Sequence, residues 1–158
     1  MNKGYISSRE VIKGISESVI AKSEDNDCVV RAIATAADMD YDSAHKFTKE
    51  KFCRNNKKGV YRFASTINLL SKNNEQINGK SIEIVTEEHN TMLYYVTVKG
   101  MKTLRRTTTG SFIKRYPVGT YIVTVNRHAF TIKDGVVIGN PDDGKKMKKH
   151  ITGAWKIG

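Results

Sequence analysis

The hydrophobic pattern of the chain changes its period at about Ser81. Before this residue, apolar side chains recur every three to four positions, which is typical of amphipathic helices. After it, the apolar segments are short, β-branched or aromatic, and several alternate with polar residues, as strands do. Helices first and an antiparallel sheet second predict an α+β fold. The 158 residues contain no evident linker or repeat, so we expect a single domain over residues 1–158.

The individual elements follow from the same two periods. The predicted helices cover residues 9–20, 28–39, 40–53, 60–72 and, as a short helix capped by Thr108 or Thr109, 108–117. The predicted strands cover residues 81–85, 92–98, 120–125, 128–133, 135–140 and 151–158. Asp134-Gly135 separates two of these strands and predicts a tight hairpin, because a type I′ turn needs positive φ at its two central residues.

Cys28 lies where a polar segment gives way to a helical pattern. Apolar residues follow it at helical spacing: Val29, Val30, Ile33, Ala36 and Ala37. Asn26 and Asp27 are both suitable N-cap residues, so a helix is predicted to begin at or beside Cys28. The positive end of the helix dipole and the free N–H groups at such a start favour a thiolate. The alternative is that Cys28 is one more small buried residue of the core.

Composition narrows the class of protein. The formal net charge is +11, which fits an anionic partner such as nucleic acid, or a lysine-rich soluble surface with no such role. No apolar run approaches the roughly 20 residues that a membrane-spanning helix needs, so no membrane partner is expected. Two cysteines do not make a disulfide framework, which favours a reducing compartment, and we expect a cytoplasmic protein.

His128 opens one strand of the predicted hairpin, and Asn140 ends the other. Positions at a strand start and a strand end come out opposite each other across a tight antiparallel turn. An amide oxygen of Asn140 could then accept a hydrogen bond from one imidazole nitrogen and leave the other facing a thiol. This is the nucleophile, base and orienting group of covalent catalysis, provided that Cys28 packs against the same end of the sheet.

At this point two segments, residues 26–47 and 119–141, resemble a known family. They are similar to the small papain-like cysteine peptidase domains that bacteriophages encode, and through them to the double-glycine-leader peptidases. The resemblance covers about residues 23–143. It implies a papain-like fold, with Cys28 as nucleophile, His128 as general base and Asn140, followed by Pro141, as the orienting residue. It also implies a phage protein acting in the host cytoplasm.

The chain departs from the wider papain-like pattern before the cysteine. A glutamine that helps to bind the oxyanion stands about six residues earlier in that pattern, where this chain has Lys22. The backbone N–H of Cys28 could supply one oxyanion donor, and Asn26 is a candidate for the other, although it could simply cap the helix. Asp142 and Asp143 remain possible substitutes for Asn140.

The other histidines and the second cysteine fit structural roles. His45 is expected on a surface or half-buried helix face, His89 in a turn and His150 in a solvated lysine-rich segment, while Cys53 is expected in the core. None of them has metal-ligand spacing with either cysteine, so neither a metal nor a cofactor is expected.

The sequence therefore predicts a cysteine hydrolase of the peptidase or amidase type that acts through a thioester on a peptide or protein substrate, for which a host protein is one candidate. Two alternatives stay open. One is a catalytically silent papain-like phage factor that binds a host protein. The other is a basic nucleic-acid-binding protein in which Cys28 is structural.

Overall fold

The α+β prediction is confirmed by the structure, a computed structural model that describes residues 4–85 and 92–158. Most of the helices precede the sheet, whose pairing is mostly antiparallel. None of the described helices is long and apolar enough to cross a membrane. The helices are α1 (Ser8–Val11), α2 (Val19–Ser23), α3 (Cys28–Ala36), α4 (Tyr41–Phe52), α5 (Phe63–Lys72), α6 (Thr109–Arg115) and α7 (Pro141–Lys145).

Six strands form the central sheet in the order β1-β7-β6-β5-β8-β2, and two more form a separate ribbon, β3–β4. Within the central sheet only β1 and β7 are parallel. The strands are β1 (Tyr5–Ser7), β2 (Ile82–Ile84), β3 (Leu93–Val98), β4 (Met101–Arg106), β5 (Thr120–Val125), β6 (His128–Lys133), β7 (Val136–Gly139) and β8 (Gly153–Ile157).

Three parts of the architecture differ from the sequence prediction. The single helix expected over 9–20 is two short helices, because the chain turns between them and Gly14 adopts a φ of +73°. Strands β1 and β4 were not predicted: β1 has only three residues, and β4 is fully exposed, so neither has a buried face that would give a period. Helix α7 was not predicted; it begins at Pro141, directly after the strand end that was expected at Asn140.

Two apolar clusters cover the two faces of the central sheet. The larger cluster packs α3, α4 and α5 against β5, β6 and β8, and its fully buried members include Val30, Ile33 and Ile67. The smaller cluster lies under α6 and is centred on Phe112 and Val123. Helix α3 is thus held directly on β6, where the Thr131 hydroxyl donates to the carbonyl of Ala32 at 2.9 Å.

A buried ionic cluster holds the loop that leads into α3. The carboxylate of Glu24 binds the guanidinium of Arg54, His45 Nε2 at 2.7 Å and the backbone N–H of Lys57 at 2.8 Å. Arg54 Nη2 also donates to the Asp25 carbonyl at 3.0 Å. Burial raises the pKa of Glu24, but these three partners outweigh it and hold that pKa below its ordinary value. The loop before Cys28 is therefore fixed by charge as well as by packing.

Replacing Arg54 with methionine is expected to destabilise the fold by about 3–5 kcal/mol, because Glu24 would be left buried without its guanidinium. Both side chains are almost fully buried, at 1% and 3% exposed. The free energy of unfolding in urea measures the loss. The matched control is Lys51→Met, since Lys51 pairs with Glu75 at 2.9 Å on the surface, where both are widely exposed. An equal loss in both variants would contradict the expectation.

Candidate active site

Cys28 is the first residue of α3, as its flanking sequence predicted, and Asp27 is the N-cap. Because the first N–H groups of a helix have no intrahelical acceptor, the thiol faces free donors there. The backbone N–H of Val29 and that of Ala129, on the neighbouring strand β6, both interact with the sulfur. The thiol therefore lies between the start of a helix and the edge of a strand.

Side chains on both sides of Cys28 fix the start of α3. The Asp27 carboxylate does not cap the helix; its Oδ2 accepts from the Tyr41 hydroxyl at 2.7 Å and from Arg31 Nε at 3.1 Å. Asn26 adopts a left-handed φ of 52°, and its side-chain amide donates to the carbonyl of Lys57 at 3.0 Å. Asn26, the predicted oxyanion donor, therefore borders the same cleft as Cys28. Its side-chain NH₂ group already donates one hydrogen bond to the loop at Lys57.

His128 opens strand β6 directly after a tight turn from β5. Val125 and His128 are paired across that turn, and Arg127 between them adopts a φ of 58°. The imidazole is partly buried, with 21% of the side chain exposed, and its ring lies 5.9 Å from that of Phe130. A side-chain interaction joins His128 and Cys28, which are 100 residues apart in the chain.

The imidazole is oriented by Asp143, and this corrects the prediction that assigned the orienting role to Asn140. His128 Nε2 lies 2.9 Å from Asp143 Oδ2, so Nδ1 is the nitrogen left for the thiol. Asn140 is instead the N-cap of α7, and Pro141 is its first residue, so the chain turns and brings Asp143 back towards β6. The backbone N–H of Asn140 donates to the same Oδ2 at 2.8 Å. Asn140 thus acts through its backbone and leaves its side chain exposed.

Gly139 makes room for this carboxylate. A Cβ at that position would lie 2.5 Å from Asp143 Oδ2 and 3.0 Å from the Phe130 Cβ, which is closer than real contacts allow. Asp143 is almost completely buried, with 2% of its side chain exposed. A buried carboxylate that accepts two hydrogen bonds is well suited to hold an imidazolium in one orientation.

The two protonation equilibria shift in opposite directions. Burial raises the pKa of Cys28, but the hydrogen bond with His128 and the nearby N–H groups outweigh it and bring that pKa below its ordinary value. The hydrogen bond that the imidazolium donates to Asp143, then its hydrogen bond with Cys28, raise the pKa of His128 to about 9 against the effect of burial. Both shifts act in the direction of a thiolate facing an imidazolium.

Two clefts meet at Cys28 and His128. The first, the apolar cleft, has a volume of about 730 Å³ and runs along Gly59–Ala64 and the ends of β5 and β6. The second, the arginine cleft, has a volume of about 300 Å³ and is bordered by Asn26, Asp27, Cys28, Arg31, Gly59, Arg127, His128 and Asn140. An extended acyl donor could therefore pass the sulfur with a part in each cleft.

The remaining histidines and the second cysteine lie elsewhere. Cys53 was expected in the core but is exposed, because it ends α4 with a φ of 53° that turns it away from the helix face. His45 was expected on a surface or half-buried helix face but is buried, since it pairs with Glu24. His150 is exposed as expected, and the turn expected around His89 lies outside the described residues. No group of three potential metal ligands occurs within residues 4–85 and 92–158.

Sequence reasoning named Asp143 only as a possible substitute for Asn140, and it missed Arg31 as a residue of the site. The signal for Asp143 was present, because Asn-Pro followed by two aspartates is the pattern of a helix start rather than of a strand end. Arg31 left no such signal, since its pairing with Asp27 resembles any i, i+4 pair.

Comparison of the chain with protein-family models, with curated proteins and with solved structures finds no match.

Proposed function

We propose that the protein is a cysteine hydrolase of the peptidase or amidase type with a papain-like fold. The observation that carries this proposal is the set of contacts from Cys28 through His128 to the buried Asp143, with the thiol at a helix start. Those are the nucleophile, base and orienting group that covalent acyl transfer requires. The two clefts that meet at the sulfur supply room for a substrate on either side.

The reaction proceeds through a thioester. The Cys28 thiolate attacks the substrate carbonyl carbon, and the electron pair of the C=O bond moves to oxygen. The backbone N–H groups at the start of α3 face that oxyanion. The tetrahedral adduct collapses as the imidazolium of His128 gives its proton to the leaving amine, which breaks the C–N bond.

Deacylation returns the site to its resting state. The now neutral His128 takes a proton from water, and the resulting hydroxide attacks the thioester carbonyl. The C–S bond breaks, the acid product leaves, and the thiolate faces the imidazolium again. Asp143 touches neither substrate nor sulfur; it is a positioning residue that keeps Nδ1 of the ring turned towards them.

Acyl transfer to Cys28 tests the proposal. The Cys53→Gly variant, which removes the exposed thiol and suits the positive φ at that position, is incubated with p-nitrophenyl acetate and with peptide coumarin amides. We expect an acetyl thioester on the Cys28 peptide by mass spectrometry, cleaved by hydroxylamine, and turnover that Cys28→Ala abolishes. Hydrolysis at the same rate in Cys28→Ala, with no adduct on Cys28, would exclude a cysteine hydrolase.

Nucleic-acid binding is the second candidate, and the β3–β4 ribbon favours it. Residues 93–106 contain four basic and no acidic residues, and all of β4 is exposed. A two-stranded ribbon fits the major groove of DNA, and basic side chains bind phosphates. This candidate predicts salt-dependent retention on DNA that Cys28→Ser does not change. A silent factor that binds a host protein would bind that partner equally well with Cys28→Ser.

A further inference from the structure

Arg31 lies one helical turn after Cys28 on α3, so the two residues share a face of the helix. Its Nε donates to Asp27 Oδ2 at 3.1 Å, and the same oxygen accepts from the buried hydroxyl of Tyr41 at 2.7 Å. The guanidinium is therefore held in a fixed place by a carboxylate that is itself held. Only 15% of the Arg31 side chain is exposed, so its orientation is not that of a free surface arginine.

The two terminal nitrogens of Arg31 are available to a ligand. Among residues 4–85 and 92–158, no acceptor lies within hydrogen-bond distance of either nitrogen. They are also not among the buried nitrogens that lack a partner, so they reach solvent. Arg31 lines the arginine cleft and also a pocket of only about 10 Å³ beside Ser8, so the arginine cleft is the space there that is large enough for a ligand.

The charges around this cleft favour an anion. The lining of the cleft includes the guanidinium groups of Arg31 and Arg127 and the carboxylate of Asp27. Asp27 and Arg31 form an ion pair with no net charge, and Arg127 adds a positive charge to the cleft. Asp143 is buried behind the imidazole and paired with it. A guanidinium with two free parallel donors is suited to a planar carboxylate.

A purely structural role for Arg31 explains less of this arrangement. An i, i+4 ion pair can form on a helix surface without a second, buried donor on the same carboxylate oxygen. Here Tyr41 and Arg31 share one oxygen of Asp27, and the arginine keeps its outer edge for the cleft. The network holds the guanidinium in place more than it stabilises the helix.

We infer that Arg31 determines specificity by binding a carboxylate of the substrate, so that the acyl donor is an acidic peptide or amide. This inference rests on the proposed hydrolase function. Residues one turn apart on a helix have Cβ atoms about 5–6 Å apart. The carboxylate is therefore expected on a substrate residue close to the scissile carbonyl. Arg127, which also borders the cleft, adds to its positive potential.

Two alkylating agents of equal size test this without a known substrate. Iodoacetate and iodoacetamide both react with a thiolate and differ in charge. We measure the second-order rate constant of each with Cys28 at pH 6.5 and low salt, in the Cys53→Gly background. Arg31→Gln is expected to lower the ratio of the iodoacetate rate to the iodoacetamide rate by about 10-fold, as loss of a charge-assisted hydrogen bond does. The pair N-bromoacetyl-glutamate and N-bromoacetyl-glutamine repeats the comparison of a charged with a neutral reagent, with the carboxylate farther from the reactive carbon.

Arg105→Gln, on the exposed ribbon, is the matched control for loss of one positive charge. If the ratio of the charged-reagent rate to the neutral-reagent rate is the same in Arg31→Gln and Arg105→Gln for both pairs of reagents, the inference is overturned. The proposed function is left standing by that result. Arg31→Lys keeps the charge and is expected to recover part of the ratio of the two rates. If Arg31→Gln does not fold, two other results test the inference: the ratio in Arg31→Lys, and the expected fall of the wild-type ratio with added salt. Failure of the hydrolase proposal is separate, since it would show as an ordinary thiol pKa with the neutral reagent.

Discussion

Replacing His128 with alanine is expected to slow the alkylation of Cys28 by iodoacetamide at pH 6 by about 100-fold. The reactive species is the thiolate, and a thiol with the ordinary pKa of about 8.5 is only about 0.3% ionised at pH 6. In the wild-type protein the imidazolium of His128 holds the pKa of Cys28 below its ordinary value. Alanine removes that partner, while burial of the sulfur, which raises its pKa, remains.

The measurement is the alkylation rate from pH 4 to 9 in the Cys53→Gly background. The wild type should show a reactive plateau at low pH, and His128→Ala a rate that climbs only near the ordinary thiol pKa. His150→Ala is the matched control, because His150 is exposed and lies away from the sulfur. A rate in His128→Ala that follows the wild-type profile would show that no thiolate–imidazolium pair exists.

The second large effect separates Asp143 from Asn140. In Asp143→Ala we expect the pKa of His128 to fall from about 9 towards its ordinary 6.5, because the hydrogen bond that the imidazolium donates to Asp143 is the largest cause of the raised pKa. In Asn140→Ala we expect the pKa of His128 to stay raised, since Asn140 contributes a backbone N–H that alanine also supplies. NMR titration of the labelled imidazole measures both values.

The same change predicts a pH dependence of stability. Folding raises the pKa of His128 from 6.5 to about 9. Its contribution to the free energy of unfolding is therefore fully present below pH 6.5 and is lost as the pH rises through 9. Consequently the stability lost in Asp143→Ala should be larger at pH 6 than at pH 9.5. A stability loss in Asp143→Ala that grows with pH would contradict this expectation. A pKa of His128 that falls in Asn140→Ala and not in Asp143→Ala would return the orienting role to Asn140.

Much of the site was predictable because its signals are local. Asp27 before an apolar helical run places Cys28 at a helix start, and Asp134-Gly135 fixes the hairpin that carries His128; their φ values of 47° and 77° confirm the predicted turn. Such patterns depend on a few neighbouring residues and on backbone sterics. The assignment of the chain to papain-like peptidases is of another kind and stays a prediction.

The parts that sequence reasoning missed depend on distant partners. Strand β1 exists because it pairs with β7, more than 130 residues away, and three residues carry no period of their own. The burial of His45 follows from Glu24 and Arg54, which lie on different segments. Asp143 was named only as a substitute for Asn140, because helix α7, which turns it back towards His128, was not predicted. In each case the deciding contact joins residues that no local window contains.

The β3–β4 ribbon has a consequence for how this chain tolerates changes in length. Its two ends meet at the body, where the N–H of Thr107 donates to the carbonyl of Met92 at 2.9 Å, and Arg115 stacks on Tyr94 at 4.0 Å. Beyond that point the two strands run paired from Tyr95 opposite Leu104 to Val98 opposite Met101. The ribbon is a sheet separate from the one that holds Cys28 and His128, so a change at its tip leaves the register of that sheet unaltered. The ribbon tip around Lys99-Gly100 is accordingly the place in this chain to graft an epitope or a tether.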